Sequence, residues 1–292
     1  GARLQHALAS LMLDVTTQQY GYLEIAPPVI VRGDIMTGAG NLPKFADDLF
    51  HDGDMWFIPT AEVALASLHA GEIVGVAGLV GAGRTEMLAA LFGVTLAVAG
   101  TVSIKGQQRQ ITSPLDAIQA GLALAPEDRK QQGLVIDMSV RENMSLAALR
   151  RDQRQWGFLD FTKEGDISQK MIKSMRVKTP SDDQVVRYLS GGNQQKVVLG
   201  KWLTMKPIVL LLDEPTRGID VGAKREIYGL MEELAQSGVA ILFVSSEMEE
   251  VLGMADRAIV MHEGRITGEL CRGELTEETI MQLATGREKA VA

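Results

Sequence analysis

Little in this chain would anchor or staple it. Cysteine occurs once, at Cys271, which excludes an internal disulfide framework and fits a reducing compartment. No apolar run approaches the roughly 18 residues that a membrane crossing needs. The first residues lack a basic flank followed by an apolar stretch, so no secretory signal is read there. Positive charge is the minority sign, with 29 Lys and Arg against 37 Asp and Glu for a net charge of −8. A surface built to neutralise a phosphate backbone is therefore not expected, and neither is a nucleic-acid partner. No group of His, Cys or acidic residues has zinc spacing, and internal repeats, coiled coils and low-complexity segments are missing. Together these absences point to a cytoplasmic protein.

What is present begins with length and glycine. The 292 residues suffice for one large domain or two small ones, and the 30 glycines exceed the usual share of roughly 7 %. Glycine in excess implies tight turns or close approach of backbone to a ligand. Leu4, Ala7, Leu8, Leu11, Met12 and Val15 recur at helical spacing, closed by Gly21. The stretches IAPPVIV (25–31) and MWFIPTAEVAL (55–65) read as short strands of an antiparallel sheet, interrupted by prolines. From Gly71 the texture changes. EIVGVAG, LALAP, IVLLLD and VAILFVS are short apolar runs, each followed by helix-forming sequence. That alternation predicts an α/β fold with a mostly parallel sheet. GTVSIKG (100–106) reads as half of a hairpin lacking its usual partners. Ser113 with Pro114, and Ser139 with Glu142, mark helix starts. The composition shift near 66–72 is read as a boundary, giving units 1–67 and 68–292. His69 and His262 are expected to face solvent, as are Asp182 and Asp183, whereas Met231 and Met281 are expected to fill core.

Residues 78–85 read GLVGAGRT between a buried-strand pattern and a helix, the context a phosphate-binding loop requires. Glycines let successive N–H groups converge on one phosphate, and the helix N-terminus adds its positive end. A plain tight turn has the same appearance. At the end of a later strand, Asp213 is placed to reach magnesium through water and Glu214 to orient an attacking water; a helix start or a solvated turn would also account for them. Between the two, LSGGNQQK (189–196) presents Ser190, Gly191 and Gly192 at a helix start, where a serine cap with flexible glycines is the plainer reading.

The three segments in this order resemble ATP-binding cassette (ABC) ATPases: GLVGAGRT is similar to Walker A, LSGGNQQK to the signature, LLLDEP to Walker B, and Thr216 to Asp220 to the D-loop. EDRKQQGL, SVRENMSL, DEPTRGIDVGAK and VLGMADRAIVMHEG extend the likeness to the second nucleotide-binding domain of bacterial monosaccharide importers. LVGAGR and LGKWL lean toward arabinose-type members. The resemblance implies a P-loop fold with a helical subdomain that lacks its first strands, over about residues 68–292. It implies ATP and Mg2+ as ligands, held by Gly78, Gly81, Ala82, Gly83, Arg84, Thr85, Asp213 and Asp220, with Thr85 and Asp213 reaching the metal. Ser190, Gly191 and Gly192 would cap nucleotide on a second nucleotide-binding domain in a dimer. Membrane permease subunits of a sugar importer are the other implied partners, placing the chain at the inner face of the membrane. Three positions that bear on the chemistry depart from the pattern, two of them, Glu127 and Ser246, expected with Glu214 to be catalytic. Arg84 stands for the Walker A lysine, Glu127 for the Q-loop glutamine and Ser246 for the switch histidine. A planar guanidinium is no neutral exchange for a compact ammonium, so nucleotide binding with slow hydrolysis is the expectation.

GARLQHALASLMLD, GYLEIAPPVIV, MTGAGNLPKFADDLF and IPTAEVAL resemble part of the catalytic domain of seryl-tRNA synthetase, a truncated α+β fragment of the class II fold. The resemblance implies that Pro28 lies near a dimer interface and that Thr60, Ala61 and Glu62 recognise serine. Asn41 and Ala39 depart from the family's more usual residues. Neither motif 2 nor motif 3 follows, so a complete aminoacylation is not expected. LHAGEI (68–73) fits both parents, which leaves a synthetase-derived fragment or a recombined hybrid without function as alternatives to transport.

Overall fold

The computed structural model describes residues 68–97, 99–154 and 158–286, together with three short strands nearer the N-terminus. Contacts divide the chain into two units, Gly1–Leu65 and Ala66–Ala292, each described by itself.

In the first unit, β1 (Ile30–Arg32), β2 (His51–Asp52) and β3 (Met55–Phe57) form an antiparallel sheet ordered β1-β3-β2. Val31 pairs with Trp56, which also faces His51. The expected antiparallel pairing is thus seen at 30–32 and 55–57. The expected helix over 4–15, Pro28, and the serine candidates Thr60, Ala61 and Glu62 lie outside the described residues.

The second unit is built on a six-stranded sheet. Its elements in chain order are β4 (Ile73–Gly78), α1 (Arg84–Leu91), β5 (Val102–Ile104), β6 (Gln107–Arg109), α2 (Pro114–Ala120), β7 (Leu122–Ala125), α3 (Val140–Ser145), α4 (Leu149–Asp152), α5 (Phe161–Ser174), α6 (Gly191–Leu203), β8 (Val209–Asp213), α7 (Val221–Gln236), β9 (Ala240–Val244), α8 (Met248–Met254), β10 (Arg257–His262), β11 (Arg265–Cys271) and α9 (Glu277–Ala284). The sheet order is β11-β10-β4-β9-β8-β7. All neighbours run parallel except the β10–β11 hairpin at one edge. Helical crossovers cover both faces, which is why the central strands read as unbroken apolar runs. Along β4 the side chains alternate. Ile73 and Ala77 join the cluster containing Val197, Ile227 and Val251, while Val74 and Val76 join the one containing Leu88, Phe92 and Ala117. Short loops at the carboxyl ends of β4, β8 and β9 are thereby held side by side, the place where open α/β sheets bind ligands.

Local chemistry fixes the ends of these elements. Ser113 caps α2 by accepting from the Asp116 amide, with Pro114 in the first turn. Ser139 and Glu142 form the capping box of α3. Five expectations are corrected. Val102–Ile104 is half of a hairpin, as expected, but it does not lack a partner, because it pairs with Gln107–Arg109 through a turn in which Lys105 and Gly106 both have positive φ; the residues after the turn supply the second strand. Asp182 does not face water but is 5 % exposed and receives a two-pronged bond from Arg141 at 2.8 and 2.9 Å. Asp183 stays exposed and shares that guanidinium at 3.2 Å. His262 is half-buried, its Nδ1 2.8 Å from the Ala284 carbonyl. Met281, unlike buried Met231, is 40 % exposed on the outer side of α9. Finally, β10 and β11 are absent from the periodicity-based reading, although the turn of Glu263 and Gly264 that joins them, both residues at positive φ, is a hairpin signal.

Candidate functional site

The loop between β4 and α1 rests on glycines that the backbone requires. Gly81 and Gly83 have φ of +84° and +91°, the left-handed region that side chains disfavour. A Cβ at Gly78 would come within 2.5 Å of the Met261 carbonyl oxygen, and one at Gly83 within 3.1 Å of the Gly264 Cα. Around Gly81 there is open space. The loop is therefore pinned at one end to β10 and at the other to the turn between β10 and β11, and it is free at its crest, where Leu79 and Val80 are exposed. Ala82 is buried, and its carbonyl accepts from the Gly264 amide at 2.9 Å. Thr85, in the first turn of α1, is exposed.

Asp213 ends β8 and is buried. Burial pushes its carboxyl above the usual carboxylate range, opposed by a hydrogen bond from the Thr85 hydroxyl; the neighbouring Glu214 charge raises it further. One oxygen, Oδ1, is buried with no hydrogen-bond partner. A buried carboxylate oxygen left unpaired is costly unless a cation or water completes it. Together with the Thr85 hydroxyl it suits a hard divalent cation, which prefers oxygen donors.

Arg84 does not project into the loop's mouth. Its Nη1 donates to the Ser245 carbonyl at 2.6 Å, and Nη2 lies 3.8 Å from Glu214 Oε1, both side chains 9 % exposed. Glu214 has φ +46°, unusual for a side chain of its kind. Its amide donates to the Val244 carbonyl at 3.0 Å, and its Oε2 accepts from Ser246 Oγ at 3.0 Å. Arg84, Glu214 and Ser246 are thus brought together, whereas Glu127 is not among their partners. Glu127, just after β7, pairs with Arg217, so its charge is offset by the segment that follows β8. Arg129, near Glu127, donates to the carbonyls of Arg217 at 2.9 Å and Gly218 at 3.4 Å in that segment.

Ser190 precedes α6 and is exposed; its Oγ accepts from Asn193 Nδ2 at 2.9 Å instead of capping the helix. A Cβ on Gly192 would fall 2.5 Å from the Ala223 Cβ, and one on Gly191 2.8 Å from Arg129 Nη2. Close packing of α6 against α7 therefore accounts for Gly192 within this chain, whereas Gly191 lies against the tip of the Arg129 side chain and the Gly218 carbonyl. Asp220 caps α7, accepting from the Ala223 amide at 2.9 Å. Ser190, Gly192, Asn193, Asp220 and Lys178 line one open polar cavity.

A sequence profile of the ABC transporter family matches residues 63–217, which is 155 of 292 residues. The chain belongs to the ABC transporter family. Among similar proteins, the ribose import ATP-binding protein RbsA of Bacillus subtilis is 53 % identical over 244 residues, 84 % of this chain and 49 % of its own length. The arabinose import ATP-binding protein AraG of Pectobacterium atrosepticum is 50 % identical over 226 residues, 76 % of this chain and 45 % of its own. The chain spans about half the length of the curated relatives it matches. A nucleotide-free ATP-binding cassette from an ABC transporter superposes with a TM-score of 0.65 at 19 % identity, covering 80 % of this chain and 95 % of that one. This likeness carries the ABC fold. Among the described residues no helix is long and apolar enough to cross a membrane.

One group that the motifs do not mark is Glu250 in α8, buried and hydrogen-bonded by Thr216, Tyr228, Ser245 and Lys224. In MEEVLGM its only sequence signal is its place beside Val251, on the side of α8 that packs inward.

Proposed function

We propose that the ABC unit, about residues 68–292, binds ATP with magnesium as the nucleotide-binding part of a monosaccharide importer of the ribose and arabinose kind. Residues 1–67 form a separate segment in this reading. The observation that carries it is the junction of the open glycine loop with Asp213, whose carboxyl is hydrogen-bonded by the Thr85 hydroxyl while its buried Oδ1 has no partner. Main-chain amides around Gly81 to Thr85 and the N-terminus of α1 take phosphate oxygens. Thr85 and Asp213 are the oxygen donors this chain offers magnesium, which when bound would neutralise phosphate charge. Glu214 orients a water at the terminal phosphate, and Ser246 steadies that carboxylate through the 3.0 Å bond.

Hydrolysis by this site is slow in the same reading. The guanidinium that replaces the usual lysine is committed to Ser245 and Glu214, so it neither reaches the phosphates nor leaves Glu214 fully free. Ser190, Gly191 and Gly192 serve the nucleotide of a second cassette, and permease subunits hold the pair at the cytoplasmic face of the membrane. The resemblance of residues 1–67 to seryl-tRNA synthetase stands as a reading of sequence only. Serine-dependent ATP–pyrophosphate exchange tests Thr60, Ala61 and Glu62.

Equilibrium titration with a fluorescent ATP analogue tests the main reading. The intact chain should bind with magnesium, and Thr85→Ala should weaken that binding by roughly tenfold, the value of one charge-assisted contact, while magnesium-free binding is unchanged. Failure of the intact chain to bind overturns the reading.

A further inference from the structure

Glu250 is 6 % exposed, and its carboxylate gathers donors from three other elements. Thr216 Oγ1 lies 2.6 and 2.7 Å from its two oxygens, Tyr228 OH at 2.6 Å, Ser245 Oγ at 2.7 Å and Lys224 Nζ at 3.0 Å. Burial pushes this carboxyl up, but the hydrogen bonds from Thr216, Tyr228, Ser245 and Lys224 together hold it below the usual range. It is therefore a buried carboxylate whose charge is compensated by Lys224, which also bonds Glu247 at 2.5 Å.

Two of these donors stand next to the candidate chemistry. Thr216 follows Glu214 by two residues, and Ser245 immediately precedes Ser246. The loops that carry them leave the neighbouring parallel strands β8 and β9, whose pairing ends at Asp213 and Val244, with one further backbone bond from the Glu214 amide to the Val244 carbonyl. Beyond that point the Glu250 carboxylate ties the two loops from beneath. The Ser246–Glu214 bond ties them at the surface. Ser245 in turn fixes Arg84 through its carbonyl. Glu214 sits in a left-handed backbone conformation, which persists only where the surroundings hold it.

We propose that Glu250 is a positioning residue: by clamping Thr216 and Ser245 it sets the separation of Glu214 and Ser246, and thereby how strongly the site prefers a nucleoside triphosphate to a diphosphate. This inference rests on the ATP-site reading above. Tyr228 and Lys224 lie on α7 and supply neutralisation and packing, while Thr216 and Ser245 transmit the position.

The intact chain and its variants are titrated, with magnesium, against a non-hydrolysable fluorescent ATP analogue and the matching ADP analogue. Glu250→Gln and Thr216→Val should each lower triphosphate affinity by roughly tenfold, as expected for losing one charge-assisted hydrogen bond. Diphosphate affinity should stay within about twofold, so the ratio of the two constants falls by nearly the full factor. Tyr228→Phe removes a donor attached to neither loop and should leave the ratio unchanged. Equal weakening of both nucleotides, an unchanged ratio in folded Thr216→Val, or a drop in Tyr228→Phe as large as in Thr216→Val would overturn the clamp. If Glu250→Gln fails to fold, the near-isosteric Thr216→Val decides alone. An intact chain that binds neither analogue removes the ATP-site reading and this inference with it, a result distinct from a ratio that does not move.

Discussion

Arg84 shows how one residue's identity sets where its charge goes. A lysine ammonium is a compact point charge, whereas a guanidinium is a planar fork that favours two partners at once. Here the fork finds them behind the loop, at the Ser245 carbonyl and the Glu214 carboxylate. Arg84 is 8 % exposed, so the contact is largely shielded from water. Arg84→Met keeps the length of the side chain and leaves both acceptors without it. Unfolding in urea should show a loss of about 2 kcal/mol, the penalty for unpairing one buried acceptor of a charged donor. A midpoint unchanged within error would mean that the guanidinium adds nothing to the fold.

At the scale of elements, the helical segment between β7 and α6 carries ion pairs in addition to its apolar packing. Asp152 ends α4 and accepts from Arg151 at 2.6 and 2.8 Å and from Lys163 of α5 at 2.7 Å. The Arg151 hydrogen bonds, with Lys163 adding to them against burial, lower its carboxyl to about 2 from 3.8. A carboxyl lowered on folding contributes its full stability above the unfolded value and loses it as pH falls toward the folded one. Asp152→Asn should therefore be less stable at pH 7 by about 1 to 2 kcal/mol, a figure reduced from the full shift because Arg151 and Lys163 are partly exposed. The gap to the original chain should shrink between pH 4 and pH 2 in urea titrations. A gap that stays constant over that range would show that Asp152 acts by packing and not by charge. The same segment illustrates what spacing conveys at this scale. Ser139 with Glu142 was legible as a capping box because its parts lie three residues apart. The Arg141 to Asp182 bond was not, because its partners are 41 positions apart and only the fold brings them together.

At the scale of the whole molecule, the ABC unit has its own two-sided core. Among the described residues, the clusters on opposite faces of the sheet are drawn from position 68 onward. A chain beginning at residue 63, where the family match starts, should fold without the preceding segment. Its nucleotide affinity should lie within about twofold of the full chain and its thermal midpoint within about 4 °C, the shift that roughly 1 kcal/mol produces in a domain of this size. Loss of binding or of a cooperative transition would assign the N-terminal residues a part in the site.

Sequence alone determined the strand-and-helix alternation, because parallel strands covered on both faces must be apolar throughout and their crossovers must be helical. It also marked the glycine loop, since only glycine tolerates the backbone at positions 81 and 83, and placed Asp213 and Glu214 at the end of a strand. Tertiary structure decided the direction of each side chain. Arg84 turns inward and Glu127 meets Arg217, while Gly192 in the first turn of α6 is explained by how closely α7 passes. The Glu250 cluster was likewise invisible in one dimension. A buried carboxylate is stable only among several donors, and these come from positions 216 to 245, which no local pattern relates.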